Sequence, residues 1–314
     1  MASKTQRQID GCQIPCLLGT QTEAAALKTR SYLYIITAAA LWGLIGLFVK
    51  AIAAQGFSSM QIVALRAMAS SFCITLVMLW QGVSQLRIKL RDIWMFIGTG
   101  ILSLVFFNFC YFNCIRSSSL AVAALLLYTA PAFVMLMSLL FFGERFTTKK
   151  GIALLCTFIG CGCVTGAFEG GLSLTFSGLL YGLGSGFGYA LYSIFGKFAV
   201  QKYSSLTITA YTFYFALIAA VPLAEFNSIA LNKIDLTTIC GSLGLGLICA
   251  VVPYLLYTKG LEQIEPGQAS ILATIEPFVA AAVGIFCFAE PMTISKALGM
   301  LLIFCSIVIL NIKD

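Results

Sequence analysis

Apolar residues in this chain come in long unbroken stretches, at 32–53, 60–81, 93–115, 118–142, 149–167, 175–200, 206–226, 236–260, 267–289 and 294–311, with only a few polar residues between them. Crossing a ~30 Å hydrocarbon core as a helix takes roughly 20 mostly apolar residues. The pattern therefore predicts an all-α integral membrane protein with ten transmembrane helices and links too short to hold a soluble domain. Barrel strands would be shorter and would alternate polar with apolar, whereas the run from Ala121 to Phe142 shows no alternation.

Composition agrees with the pattern: 60% of residues are hydrophobic and 10% charged, against roughly 25% charged in a soluble domain. Segment 1–31 carries Lys4, Arg7, Lys28 and Arg30 but no apolar core, so it reads as a disordered cytoplasmic tail and not as a cleaved signal peptide. The distribution of cations sets the orientation, because short loops rich in Lys and Arg stay on the cytoplasmic side. With the N-terminus inside, 14 of the 19 cations fall in the tail, in alternate links and at the C-terminus, and Lys50, Arg116, Lys233 and Lys296 fall opposite. Both termini are thus expected in the cytoplasm of a multi-pass inner-membrane protein. The net charge of +7 is then a topology signal, and no nucleic-acid partner is needed to explain it.

Of the 12 cysteines, ten lie inside apolar spans, where cysteine acts as a small hydrophobe. Cys12 and Cys16 in the tail lack the further ligands a zinc site needs, and neither a metal nor a cofactor is expected.

A shift of 146 residues brings the sequence onto itself. It sets Ser58, Ser59, Ile62 and Ala64 on Ser204, Ser205, Ile208 and Ala210, and Gly98 and Gly100 on Gly244 and Gly246. Tyr111 then meets Tyr257, and Pro131, Glu144 and Thr147 meet Pro277, Glu290 and Thr293. Apolar coincidences are cheap between membrane helices; a Pro, a Glu and a Thr recurring at one offset are not. The reading is two repeats, 32–167 and 175–311, of five spans each. Five is odd, so the second repeat must enter the membrane from the opposite face, an inverted arrangement associated with alternating access and a binding site near mid-bilayer.

The segments Pro131 to Thr147 (PAFVMLMSLLFFGERFT) and Glu276 to Thr293 (EPFVAAAVGIFCFAEPMT), with Trp42-Gly43 and Arg66, resemble the EamA-type repeat of the drug/metabolite transporter superfamily. The first half departs from that pattern in having Ala130 where the second has Glu276. The resemblance implies transport of a small organic metabolite such as an amino acid, with export the expected direction. Nucleotide-sugar or sugar-phosphate exchange, also found in the superfamily, is the alternative; outside transport, a membrane scaffold or binding protein remains.

Charges far from a span end need a reason, because burying one at mid-bilayer costs about 2.5–3.5 kcal/mol on insertion scales. Glu276 is the deepest. It precedes Pro277, which removes a backbone hydrogen bond and predicts a kink near Ala273. Its carboxylate could line the path, contact a cationic group or carry a coupled proton, or it could tie the kink to a neighbouring helix. Arg66 could hold a substrate anion or pair with a carboxylate at a span end. Trp42, Asn108, Tyr111, Tyr128, Tyr189, Tyr192, Ser193, Tyr254 and Tyr257 are further candidates for a chamber wall, since buried polar groups seek partners. Glu144 and Glu290, each followed by a threonine suited to cap the next helix, read as closures of helix-helix links, with gating the alternative. Gly182, Gly184, Gly186 and Gly188 form two overlapping GxxxG patterns that favour close packing.

An enzyme is disfavoured: there is no histidine, and no Asp lies inside a span to form an aspartyl pair. A channel would need a filter motif or acidic rings, and an ATP-driven pump a phosphate loop. The expected partners are a small-molecule substrate and the lipid bilayer, with homo-oligomerisation left open.

Overall fold

A computed structural model describes residues 10–168, 174–226 and 234–311, and among them all regular structure is helical. Lys4, Arg7, Lys233 and Lys313, and the side chains of Cys12 and Cys16, lie outside what is described. The helical rods are α1 (Ala26–Ala54), α2 (Ser59–Gln81), α3 (Leu90–Ser117), α4 (Leu120–Phe142), α5 (Thr148–Val164), α6 (Phe176–Ala199), α7 (Ser205–Leu223), α8 (Leu236–Leu261), α9 (Pro266–Phe288) and α10 (Ile294–Asn311). Seven of them, α1 to α4 and α7 to α9, are long and apolar enough to cross a membrane. The disorder expected of segment 1–31 needs correction from Asp10 onward, because α1 continues a helix that begins there. Thr20 to Trp42 contains neither Gly nor Pro and is rich in Ala and Leu, which favour helix over coil.

Two prolines interrupt their rods. Pro131 and Pro277 cannot bond the carbonyls four residues earlier, and α4 and α9 are interrupted at Tyr128–Thr129 and Ala273–Thr274. Other local features also recur at the 146-residue offset. π-helical turns occupy Gly98–Val105 in α3 and Leu247–Val251 in α8. Left-handed residues end α4 and α9 at Gly143 and Ala289, with φ of 66° and 53°.

Packing partners exchange in the same way as the halves. Rod α1 lies on α8 and α9, as α6 lies on α3 and α4; α2 meets α8 as α7 meets α3; and α2·α7 and α5·α10 pair across the relation. Gly100 sits against the backbone of Thr212 and Ala216, and Gly246 against Ala69 and Ser70. The α6 glycines serve two neighbours: a Cβ on Gly182 or Gly186 would collide with Leu126 or Thr129 of α4, and one on Gly188 with Phe106 and Phe107 of α3.

The α5·α10 contact is closest at Gly160 and Gly299. A Cβ on Gly160 would lie 2.9 Å from the Gly299 carbonyl oxygen, and one on Gly299 2.6 Å from that of Gly160. Backbone cannot move aside as a flexible side chain can. Gly160→Val is therefore expected to destabilise the fold by about 1–3 kcal/mol, read as an earlier midpoint on unfolding in mixed detergent micelles; an unchanged midpoint would contradict the close approach.

Candidate functional site

The site forms where α1, α6, α8 and α9 converge. Helix α1 breaks at Leu44, and Gly43 just before it has no side chain to hold α9 away: a Cβ there would lie 2.9 Å from the Glu276 carbonyl oxygen. That approach puts the Trp42 indole among three tyrosines, with ring centroids 5.3 Å from Tyr254, 5.3 Å from Tyr257 and 6.3 Å from Tyr189. Edge-to-face contacts of this kind favour a fixed arrangement. Hydrogen bonds tie α6 to α8 beside them: the hydroxyls of Tyr192 and Thr258 lie 2.7 Å apart, and those of Ser193 and Tyr257 2.8 Å apart.

Glu276 lies one turn after the α9 break. The Tyr189 hydroxyl donates to its Oε2 at 3.0 Å, and it has no ion-pair partner among the described residues. Arg66 reaches the same region from α2. Its guanidinium donates to the Tyr254 hydroxyl at 3.5 Å and stands 5.9 Å from the centre of that ring. Two buried donors here, Trp42 Nε1 and Arg66 Nε, have no hydrogen-bond acceptor among the described residues. Such groups are costly to leave unmatched, at about 1–3 kcal/mol each, so each would gain from an acceptor.

The space enclosed by Trp42, Tyr189, Tyr192, Ser193, Tyr254 and Tyr257, with Ser103 and Phe107, is only about 10 Å³, the room of a single water; Arg66 and Glu276 adjoin its wall through Tyr254 and Tyr189. Beyond Glu276 a vestibule of about 370 Å³ opens to the surface, walled by Tyr111, Tyr128, Pro277, Ala281, Glu290 and Lys296. It lies at the end where α9 meets α10. The other end, where α4 meets α5 and α8 meets α9, is closed by a buried network. Lys150 Nζ bonds Glu144 Oε1 and Glu265 Oε2, both at 2.8 Å, while Glu144 Oε2 accepts from the Ser138 hydroxyl and, at 3.0 Å, from the Gly267 N–H.

The structure thus brings Trp42, Arg66, Tyr189, Tyr192, Tyr254 and Glu276 together, and places Tyr111 and Tyr128 in the vestibule. Asn108 turns away: its amide donates to the Leu104 carbonyl of its own helix at 2.7 Å, as short polar side chains in apolar helices often do. Arg66 has no carboxylate partner among the described residues, because the carboxylates at the span ends are engaged by Lys150 and Lys296. As capping residues Thr147 and Thr293 behave as their spacing predicts, their hydroxyls accepting from the backbone N–H of Lys150 and Lys296 at 3.3 and 3.1 Å. The Lys150 network itself escapes the sequence reading. Its signal was available, since Lys150 and Lys296 stand at the same 146-residue offset as Glu144 and Glu290.

Apolar rods in two equivalent halves around a mixed aromatic and charged centre, with a cavity opening at one end, describe a two-repeat membrane transporter. The chain belongs to the EamA-like transporter family, whose profile matches residues 29–166 and again 176–312. An uncharacterized transporter of Archaeoglobus fulgidus is 33% identical over 214 residues, covering 67% of this chain and 75% of its own. A second from that organism is 25% identical over 89% of this chain and 98% of its own, and the Bacillus subtilis transporter YwfM is 22% identical over 89% and 93%. A solved crystal structure at 18% identity covers 90% of this chain and 96% of its own with a TM-score of 0.77, which establishes the shared fold.

Proposed function

We propose that the protein carries a small zwitterionic metabolite, such as an amino acid, across the inner membrane by alternating access, with export its working direction. One observation supports the substrate class: two unmatched donors, Trp42 Nε1 and Arg66 Nε, and the carboxylate of Glu276, unpaired among the described residues, gather on one aromatic cluster, Arg66 through Tyr254 and Glu276 through Tyr189. A substrate carboxylate satisfies the donors, its ammonium group faces Glu276, and the faces of Trp42, Tyr189 and Tyr254 take the cation or an apolar side chain. A sugar phosphate would call for several cations, whereas the described lining of this space holds none and Arg66 alone reaches it, through Tyr254. The reading takes all ten rods as crossings, α5, α6 and α10 included, with the repeats inverted and both termini cytoplasmic. The packing that exchanges with the halves, and the contrast between one closed and one open end, support it.

Glu276 can also serve as the proton-coupling group, because it bonds Tyr189 of the chamber wall on one side and precedes Pro277 of the vestibule wall on the other. The test is counterflow in proteoliposomes with a panel of competitors. Amino acids are expected to compete, and analogues lacking either the carboxylate or the amine to do so roughly 10- to 100-fold less well, as removing a charged hydrogen bond does. Stronger competition by phosphorylated sugars would overturn the substrate class, and absence of flux for every compound would favour a binding or scaffold role.

A further inference from the structure

A second cleft lies far from the chamber, where the link between α2 and α3 meets the link between α6 and α7. It measures about 790 Å³ and is walled by Arg87, Lys89, Arg91, Trp94, Asp92 and Lys202 among others. Among the described residues Asp92 is its only acidic wall residue, and both of its oxygens are committed: Lys202 Nζ lies 2.6 Å from Oδ1, and the Tyr203 hydroxyl donates to Oδ2 at 2.8 Å. The same Tyr203 hydroxyl accepts from the Lys89 N–H at 3.1 Å, so this cluster around the buried Asp92 fixes the floor of the cleft and the path of the backbone through it. Lys202 and Asp92 cancel each other's charge. Arg87, Lys89 and Arg91 have no salt bridge to any described residue, and all three side chains are exposed.

Three uncancelled cations on a fixed backbone make a site for an anion with several oxygens. What distinguishes a membrane-bound anion from a soluble one is the neighbouring surface. Leu90, between the cations, is 85% exposed, and Trp94 one turn further along α3 is 45% exposed, held edge-on by Phe195 and Phe198. An exposed Leu and a Trp at the start of a membrane helix, next to cations, match the boundary between headgroups and acyl chains. We propose that this cleft binds the phosphate headgroup of an anionic phospholipid, with Arg87, Lys89 and Arg91 on the phosphate and Leu90 and Trp94 along the acyl chains. The inference requires only that the protein sits in a membrane, and it is independent of the cargo.

The test is native mass spectrometry of the full chain in detergent, titrated with cardiolipin, phosphatidylglycerol or phosphatidylcholine. Each cation at such a surface contributes about fivefold in affinity, so R87Q/K89Q/R91Q is expected to bind both anionic lipids roughly 100-fold more weakly. Phosphatidylcholine should bind weakly to either protein. A second variant, K28Q/R30Q/R145Q, removes as many exposed cations elsewhere and should retain anionic-lipid binding. Equal loss in the two variants, or none in the first, would overturn the site. Competition by millimolar inorganic phosphate or glycerol 3-phosphate would assign the cleft to a soluble anion and overturn the lipid assignment. Should the triple variant lose its monodisperse peak, Arg91→Gln alone carries the comparison, with about a fivefold effect expected.

Discussion

Glu276→Gln is expected to lower transport of a zwitterionic substrate by roughly 100-fold while leaving the folded protein intact. The substitution keeps the shape of the side chain and an oxygen able to accept the 3.0 Å hydrogen bond from Tyr189, so the α9 break and its contact with α6 survive. What disappears is the negative charge facing the substrate's ammonium group. A charged hydrogen bond contributes about 1.5–3 kcal/mol, against about 0.5–1.5 for a neutral one. Tyr189→Phe leaves the carboxylate and its charge in place to meet the ammonium group, and should reduce flux only several-fold. Both variants should elute as the wild type does in size-exclusion chromatography. Near wild-type flux in Glu276→Gln would remove this carboxylate from the path, and residual flux that still varies with pH as in the wild type would remove it from proton coupling.

How much of this was readable in the chain follows from how local each determinant is. The spans announce themselves because lipid demands one long apolar run per crossing, and the breaks in α4 and α9 because Pro131 and Pro277 delete a hydrogen bond at a fixed distance along the chain. Glu276 stands out because a charge so far from a span end has few bland explanations. Features set by contacts between helices were not legible. The π-helical turns of α3 and α8 adjoin Gly100 and Gly246, which touch backbone of α7 and α2, and nothing in a single helix's sequence states that register. Asn108 was expected in the chamber wall but satisfies itself on Leu104. Span 6 shows the limit of hydropathy in the other direction: α6 falls outside the seven most apolar long rods, yet its glycines let it pack closely against both α3 and α4.

The second large effect is expected at Lys150, and the two repeats argue for it by differing. In the repeat relation Glu144 and Lys150 match Glu290 and Lys296, and both pairs are 2.8 Å ion pairs. The surroundings diverge. Ser138, which donates to Glu144, corresponds to Gly284; Glu265, the second partner of Lys150, corresponds to Ser119; and Gly267, whose N–H meets Glu144, corresponds to Ala121. The clasp beside α5 therefore has three attachments that the one beside α10 cannot copy in full. Under alternating access this biases the resting protein toward the state described, closed at the α4–α5 end and open at the vestibule. Lys150→Met should release that bias, because it strands the buried Glu144 carboxylate, and breaking a buried pair from one side costs about 3–5 kcal/mol. Glu265→Gln removes an arm whose carboxylate is 51% exposed, and exposed pairs contribute only about 0–1 kcal/mol. With a cysteine placed at Ser270, behind the clasp, maleimide labelling from the α4–α5 end should accelerate at least tenfold in Lys150→Met and about twofold or less in Glu265→Gln. Equal acceleration in the two, or none in either, would mean that the clasp holds two links together without setting which end is open.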